Sequence, residues 1–128
     1  MADWHRLTAI VPCNDLDASE AFYHRLGFTR SAGEVDDGYR ILGDSRGGHL
    51  HLTATPPGWV VPARNPFGVY LYSDAVDELA AGFHQEIIGG SRAEDKPWGM
   101  YEFALSDPNG TLVRVGRPSR SPDDAPAR

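Results

Sequence analysis

Pro97-Trp98-Gly99-Met100-Tyr101-Glu102-Phe103-Ala104-Leu105-Ser106-Asp107-Pro108-Asn109-Gly110 reads as a strand running into a tight turn. Tyr101, Phe103 and Leu105 alternate with Met100, Glu102 and Ala104, the two-residue period of a strand with one buried side. Asp107-Pro108-Asn109-Gly110 then has proline and glycine where a turn favours them. Beyond it residues 111–115 alternate again, Val113 and Val115 against Leu112 and Arg114. The segment therefore predicts an antiparallel hairpin.

Upstream of this hairpin lie a strand over 68–72 and a helix capped by Ser73 or Asp74. Val76, Leu79, Ala80 and Phe83 share one face of that helix, and a further strand is predicted over 87–92. The connector 55–66 contains four prolines and no periodicity. Ahead of it the pattern has already occurred once. A strand over 7–12 leads to a helix capped by Asn14 or Asp15, with Asp17 and Glu20 at capping-box spacing. That helix runs through Ala21, Phe22 and Leu26 and stops at Gly27, where a left-handed residue suits a helix end. Strands over 28–33, 38–42 and 49–54 follow. A shift of about 60 positions aligns Leu16 with Val76, Asp17 with Asp77, Tyr23 with Phe83 and His24 with His84, as an internal duplication would. The expectation is α+β: two βαβββ modules, about 5–54 and 67–117, in a single domain over 1–118. The tail 119–128, rich in Pro, Ser, Asp and Arg, is expected to be disordered.

The same alternation sorts the remaining strands. Leu50 and Leu52 oppose His49, His51 and Thr53; Leu7, Ala9 and Val11 oppose Arg6, Thr8, Ile10 and Pro12. One face packs on helices. The other collects Arg6, Thr8, His49, His51, Glu102 and Arg114, either as a solvated sheet face or, if the sheet curls, as the lining of a pocket.

Composition narrows the function classes. The chain has 128 residues, 41% apolar and 23% charged, enough for one packed domain. A net charge of −6 with no cluster of Lys and Arg argues against nucleic acid. Cys13 is the single cysteine, so no intrachain disulfide is available. No apolar run has the length of a signal peptide or a membrane span, and a cytoplasmic protein is expected. No phosphate loop, dinucleotide fingerprint or nucleophile triad is present. Cys13 stands beside a helix start that can lower a thiol pKa, although a small buried spacer is the commoner meaning. Glu102 with His51 could form an acid–base pair for an isomerase or epimerase.

Three segments carry a family resemblance. They are Val11-Pro12 with Asp15-Leu16-Asp17-Ala18-Ser19-Glu20-Ala21-Phe22-Tyr23 and Leu26-Gly27-Phe28; the connector Val60-Val61-Pro62; and the run from Pro97 to Gly110. Together the chain over 5–117 resembles the vicinal-oxygen-chelate (glyoxalase/bleomycin resistance/dioxygenase) superfamily, and within it the bleomycin-resistance branch. The resemblance implies a curved mixed sheet with helices on its convex face. The metal-ligand positions of the family's enzymes fall on Thr8, His51, Gly68 and Arg114. Glycine offers no side chain and arginine no acceptor, so no metal, no cofactor and no catalytic residue is expected.

What the resemblance implies instead is a metal-independent binding protein that sequesters a small molecule, such as a bleomycin-type glycopeptide. The alternative is a lyase, isomerase or dioxygenase with an atypical site. The resemblance further implies a homodimer with an exchanged first strand, Pro12 standing where the family has a proline at that strand's exit. Its crevice is aromatic, for which Trp98, Tyr39, Trp59 and Phe67 are the candidates, joined by the polar His49, His51, Glu102 and Arg114. Trp4 is assigned to packing at the first strand. Arg6, Arg114 and the two histidines would favour an anionic or neutral ligand over a cationic one.

Overall fold

The computed structural model describes residues 4–31 and 38–120. The elements run β1 (Ala9–Cys13), α1 (Leu16–His24), β2 (Thr29–Arg30), β3 (Tyr39–Gly43) and β4 (His49–Ala54), then a 3₁₀ turn at Pro62–Arg64. After the turn come β5 (Gly68–Tyr72), α2 (Val76–Ala81), β6 (Glu94–Asp95), β7 (Met100–Ser106) and β8 (Leu112–Pro118). The predicted duplication is present in topology as well as order. One four-stranded sheet runs β1-β4-β3-β2 and the other β5-β8-β7-β6. In each, the outer strand pairs parallel with its module's last strand and the other pairs are antiparallel. The chain divides into two compact units. The first runs to Phe67 and takes in Asp107–Thr111; the second holds Gly68–Ser106 and the chain from Leu112.

In the first unit Val11, Leu42, Leu50 and Leu52 form the apolar side of the sheet, against Phe22 and Tyr23 of α1. The Asp107–Thr111 turn is pinned from below. Asp107 accepts the Tyr23 hydroxyl at 2.6 Å and the backbone N–H groups of Asn109 and Thr111 at 2.7 and 2.9 Å. Asn109 Oδ1 accepts the Asn14 N–H, and its Nδ2 donates to Ser19 Oγ. These groups are buried, and the network gives each a partner. Burial and the Asp107 carboxylate push the Tyr23 hydroxyl well above the ordinary phenol range, so Tyr23 remains a donor.

Asp15 caps α1, accepting the Ala18 N–H at 3.1 Å, and Gly27 adopts a φ of +102° just beyond the helix. The capping-box reading of Asp17 and Glu20 does not hold. Glu20 turns instead to Arg30 (2.7 Å) and Arg40 (2.7 Å), and Asp17 to Arg40 (2.9 Å), because the buried guanidinium of Arg40 needs carboxylates. Hydrogen bonding from Arg30 holds the Glu20 carboxyl below the ordinary carboxylate range. A depressed folded-state pKa contributes stability above the unfolded-state value and loses it as pH falls toward the folded one. Glu20→Gln is therefore expected to lower the urea midpoint at neutral pH. The gap to the parent protein should close in acid, below the ordinary carboxylate range. A gap that widened in acid would contradict the assignment.

Other expectations are corrected. Residues 87–92 form no strand: Gly89 takes a φ of +77° beside Gly90, and glycine pairs give up strand order for freedom. The short strand comes later, at Glu94–Asp95. Neither Ser73 nor Asp74 caps α2. Ala75 is the cap residue, and Ser73 Oγ accepts its N–H. The first strand begins at Ala9 rather than Leu7, and Leu7 is 97% exposed rather than in the core. β4 starts only at His49, which leaves nothing for residues before Thr8 to pair with. Trp4 packs in no core; it is exposed, with the Arg6 guanidinium 4.8 Å above its ring. β8 extends to Pro118, and Ser119 N–H donates to Gly99 O at 2.8 Å, so order continues past the predicted end of the last strand. Gly33 and the tail from 121 lie outside the described residues.

Candidate functional site

In the second unit, register brings the polar residues of the sheet together. Tyr70 pairs across from Arg114, and Arg114 from Ala104; one row on, Tyr72, Gly116 and Glu102 align. Glu102, 3% exposed, is the hub. Its Oε1 accepts the Tyr70 hydroxyl at 2.7 Å and its Oε2 accepts Arg114 Nη1 at 3.0 Å. Burial, reinforced by the Glu102 hydrogen bond, moves the Tyr70 hydroxyl above the ordinary phenol range, keeping it a donor to the carboxylate. The Arg114 guanidinium lies 5.7 Å from the ring of Trp98, which is 59% exposed. Beside them opens a cavity of about 110 Å³. Its apolar wall includes Ile87, Ile88 and Phe103, and its polar rim Arg92, Glu94 and Lys96, with Trp98, Glu102 and Arg114 completing it. The arrangement offers an aromatic plate, an apolar wall and an oriented guanidinium, the mixture of surfaces small-molecule sites use.

The first unit holds the other candidates. Arg6 Nη1 donates to His49 Nε2 at 2.8 Å; since arginine cannot accept, Nε2 must be the unprotonated nitrogen. His51 Nδ1 lies 2.6 Å from the Tyr39 hydroxyl, with the rings edge to face at 5.2 Å. His51 stands in one row with Ile10 and Ile41, and both isoleucines are exposed. Trp59 is 78% exposed in the connector, and Phe67 is at the margin of exposure. Thus Trp98, Glu102 and Arg114 converge with a cavity, and Tyr39 joins His51. Among the described residues Trp59 and Phe67 make no ring contact with Tyr39 or His51. The reading of the sequence missed Tyr70, whose strand is continuously apolar and hides which face each residue takes. Arg92 and Lys96 were also missed, being brought to the rim by a loop.

The positions that the resemblance assigns to metal ligands carry poor ligands one by one. Gly68 and Arg114 supply no donor, His51 is engaged by Tyr39, and Thr8 is a weak ligand at neutral pH. Among the described residues no three His, Cys, Asp or Glu side chains gather as a metal would need. Cys13 is fully buried, its thiol turned to Val11 O at 3.3 Å. Burial pushes that thiol up rather than down, which removes it as a nucleophile. No helix among the described residues is long and apolar enough to cross a membrane.

Comparison with known proteins agrees with the fold. The profile of the glyoxalase/bleomycin resistance protein/dioxygenase superfamily matches residues 5–115. A bleomycin resistance protein of Klebsiella pneumoniae is 34% identical over 118 residues, 84% of this chain and 88% of that one. The crystal structure of a bleomycin-binding protein complexed with bleomycin superposes with a TM-score of 0.73 at 29% identity, covering 91% of this chain and 100% of that one. A bleomycin resistance determinant encoded on the transposon Tn5 gives a TM-score of 0.74 at the same 29% identity and the same 91% and 100% coverage. The duplicated βαβββ topology and the sequence match over nearly the whole chain have one meaning: the protein belongs to the glyoxalase/bleomycin resistance protein/dioxygenase superfamily.

Proposed function

We propose that this chain is a metal-independent binding protein that sequesters a small aromatic molecule, in the manner of the bleomycin-resistance branch. The observation that carries the reading is the cavity beside Trp98, where a half-exposed indole, an apolar wall and an anchored Arg114 converge, with no metal-ligand cluster among the described residues. The relatives named for bleomycin resistance and bleomycin binding support it, at 34% and 29% identity. Tyr39, His49, His51, Trp59 and Phe67, all in the first unit, are held as further ligand-binding candidates. A homodimer belongs to the same proposal, with Pro12, which has no N–H to donate, in the edge strand β1.

The test is a fluorescence titration of parent, Trp98→Ala and Trp59→Ala proteins with metal-free bleomycin, the ligand named for the relatives. Trp98→Ala is expected to weaken binding about tenfold or more, the scale of losing an aromatic anchor. Trp59→Ala should change it less, and both should elute with the parent on gel filtration. Equal affinity of parent and Trp98→Ala would remove this cavity from the account.

A further inference from the structure

We propose that the cavity beside Trp98 recognises a planar aromatic fragment through a carboxylate carried on its ring, with Arg114 as the residue that sets this specificity. The inference rests on the binding reading above and names the chemistry of what is bound. At about 110 Å³ the cavity is smaller than the roughly 150 Å³ that encloses benzene, so a ring system enters it only in part, by one edge. It therefore holds a fragment of any larger molecule.

The charges around it select the fragment's substituent. Three cations, Arg92, Lys96 and Arg114, line the cavity against two carboxylates, Glu94 and Glu102. Both carboxylates face a cation of the site, Glu102 closely and Glu94 loosely. Glu94 lies 3.6 Å from Lys96 Nζ, and Glu102 has one oxygen on Tyr70 and the other on Arg114. A ligand ammonium group entering here would meet three cations and, at the rim, a Glu94 carboxylate only loosely paired with Lys96. Arg92 makes no ion pair among the described residues.

Arg114 is held but not used up. Its Nη1 is fixed by a carboxylate that is 3% exposed. Its other guanidinium nitrogens make no hydrogen bond among the described residues. The guanidinium stands over the Trp98 ring, 5.7 Å from its centroid, and keeps a planar set of donors there, oriented by the buried carboxylate. Arginine binds carboxylates in this planar, two-point way, and charge-assisted bonds of that kind are about twice as strong as neutral ones. A ring entering along the edge of Trp98 would bring a carboxylate to those donors.

Naphthoate, naphthamide and naphthylmethylamine share one ring system and differ in charge. In calorimetric titrations of the full chain, naphthoate is expected to bind about tenfold tighter than the amine, with naphthamide between them. Arg114→Lys keeps the charge and loses the fork, and is expected to cost naphthoate about tenfold while barely moving the amine. If that substitution unsettles the fold through Glu102, the anion-to-amine ratio of the parent protein at low and high salt carries the test alone. Equal or tighter binding of the amine overturns the proposal. Bleomycin bound but not displaced by naphthoate overturns it as well, and leaves the sequestration reading standing. If neither bleomycin nor naphthoate binds, both fall.

Discussion

Gly110→Ala is expected to lower the unfolding free energy by about 2–5 kcal/mol, summing a left-handed backbone on a residue with a Cβ and overpacking. Gly110 has a φ of +81°, and a methyl group there would overlap the Pro62 carbonyl oxygen and come within 2.7 Å of the Pro62 Cα. Both obstacles are backbone, so no side-chain rotation relieves them. The strain falls on the Asp107–Thr111 turn, whose carboxylate organises Tyr23, Asn109 and Thr111. Since domains of this size have about 5–15 kcal/mol in total, the urea midpoint should fall sharply or the variant should fail to accumulate. An unchanged midpoint would mean the turn is not held against the 3₁₀ segment.

Glu102→Ala should be the most damaging change in the second unit, at about 2–3 kcal/mol. It strands two donors at once, the Tyr70 hydroxyl and Arg114 Nη1. The figure sits below that for a fully buried pair because the Arg114 side chain is 39% exposed and can turn to water. Glu102→Gln should cost less, since an amide oxygen can still accept one of the two bonds. Urea denaturation of the three proteins checks the order parent, Gln, Ala. A Gln variant as unstable as the Ala variant would place the cost in the ion pair alone.

The fold was legible because alternation and helical period are local. Residues 49–54 and 68–72 were recovered residue for residue, and the order of strand, helix and further strands was read twice along the chain. The failures lie where local rules compete. The run 87–92 has apolar residues suited to a strand, but the glycines at 89 and 90 favour a turn. Glu20 has capping-box spacing but is drawn to Arg30 and Arg40, partners 10 and 20 positions away. Trp98, Glu102 and Arg114 were visible as residue types, and Glu102 with Arg114 as one face of a hairpin. Tyr70 was not, because the parallel register of β5 on β8 is set by the whole sheet and leaves no local mark. The cavity rim is similar: Arg92 and Lys96 come from a loop whose path no periodicity records.

The most direct test of the central claim, binding without metal, is calorimetric titration of metal-free bleomycin into protein treated with chelator, its metal content assayed alongside. The account predicts saturable binding near one ligand per chain, unchanged by chelator, in protein holding far less than one metal ion per chain. A stoichiometric metal in the purified protein, with binding lost to chelator and restored by that metal, would contradict it.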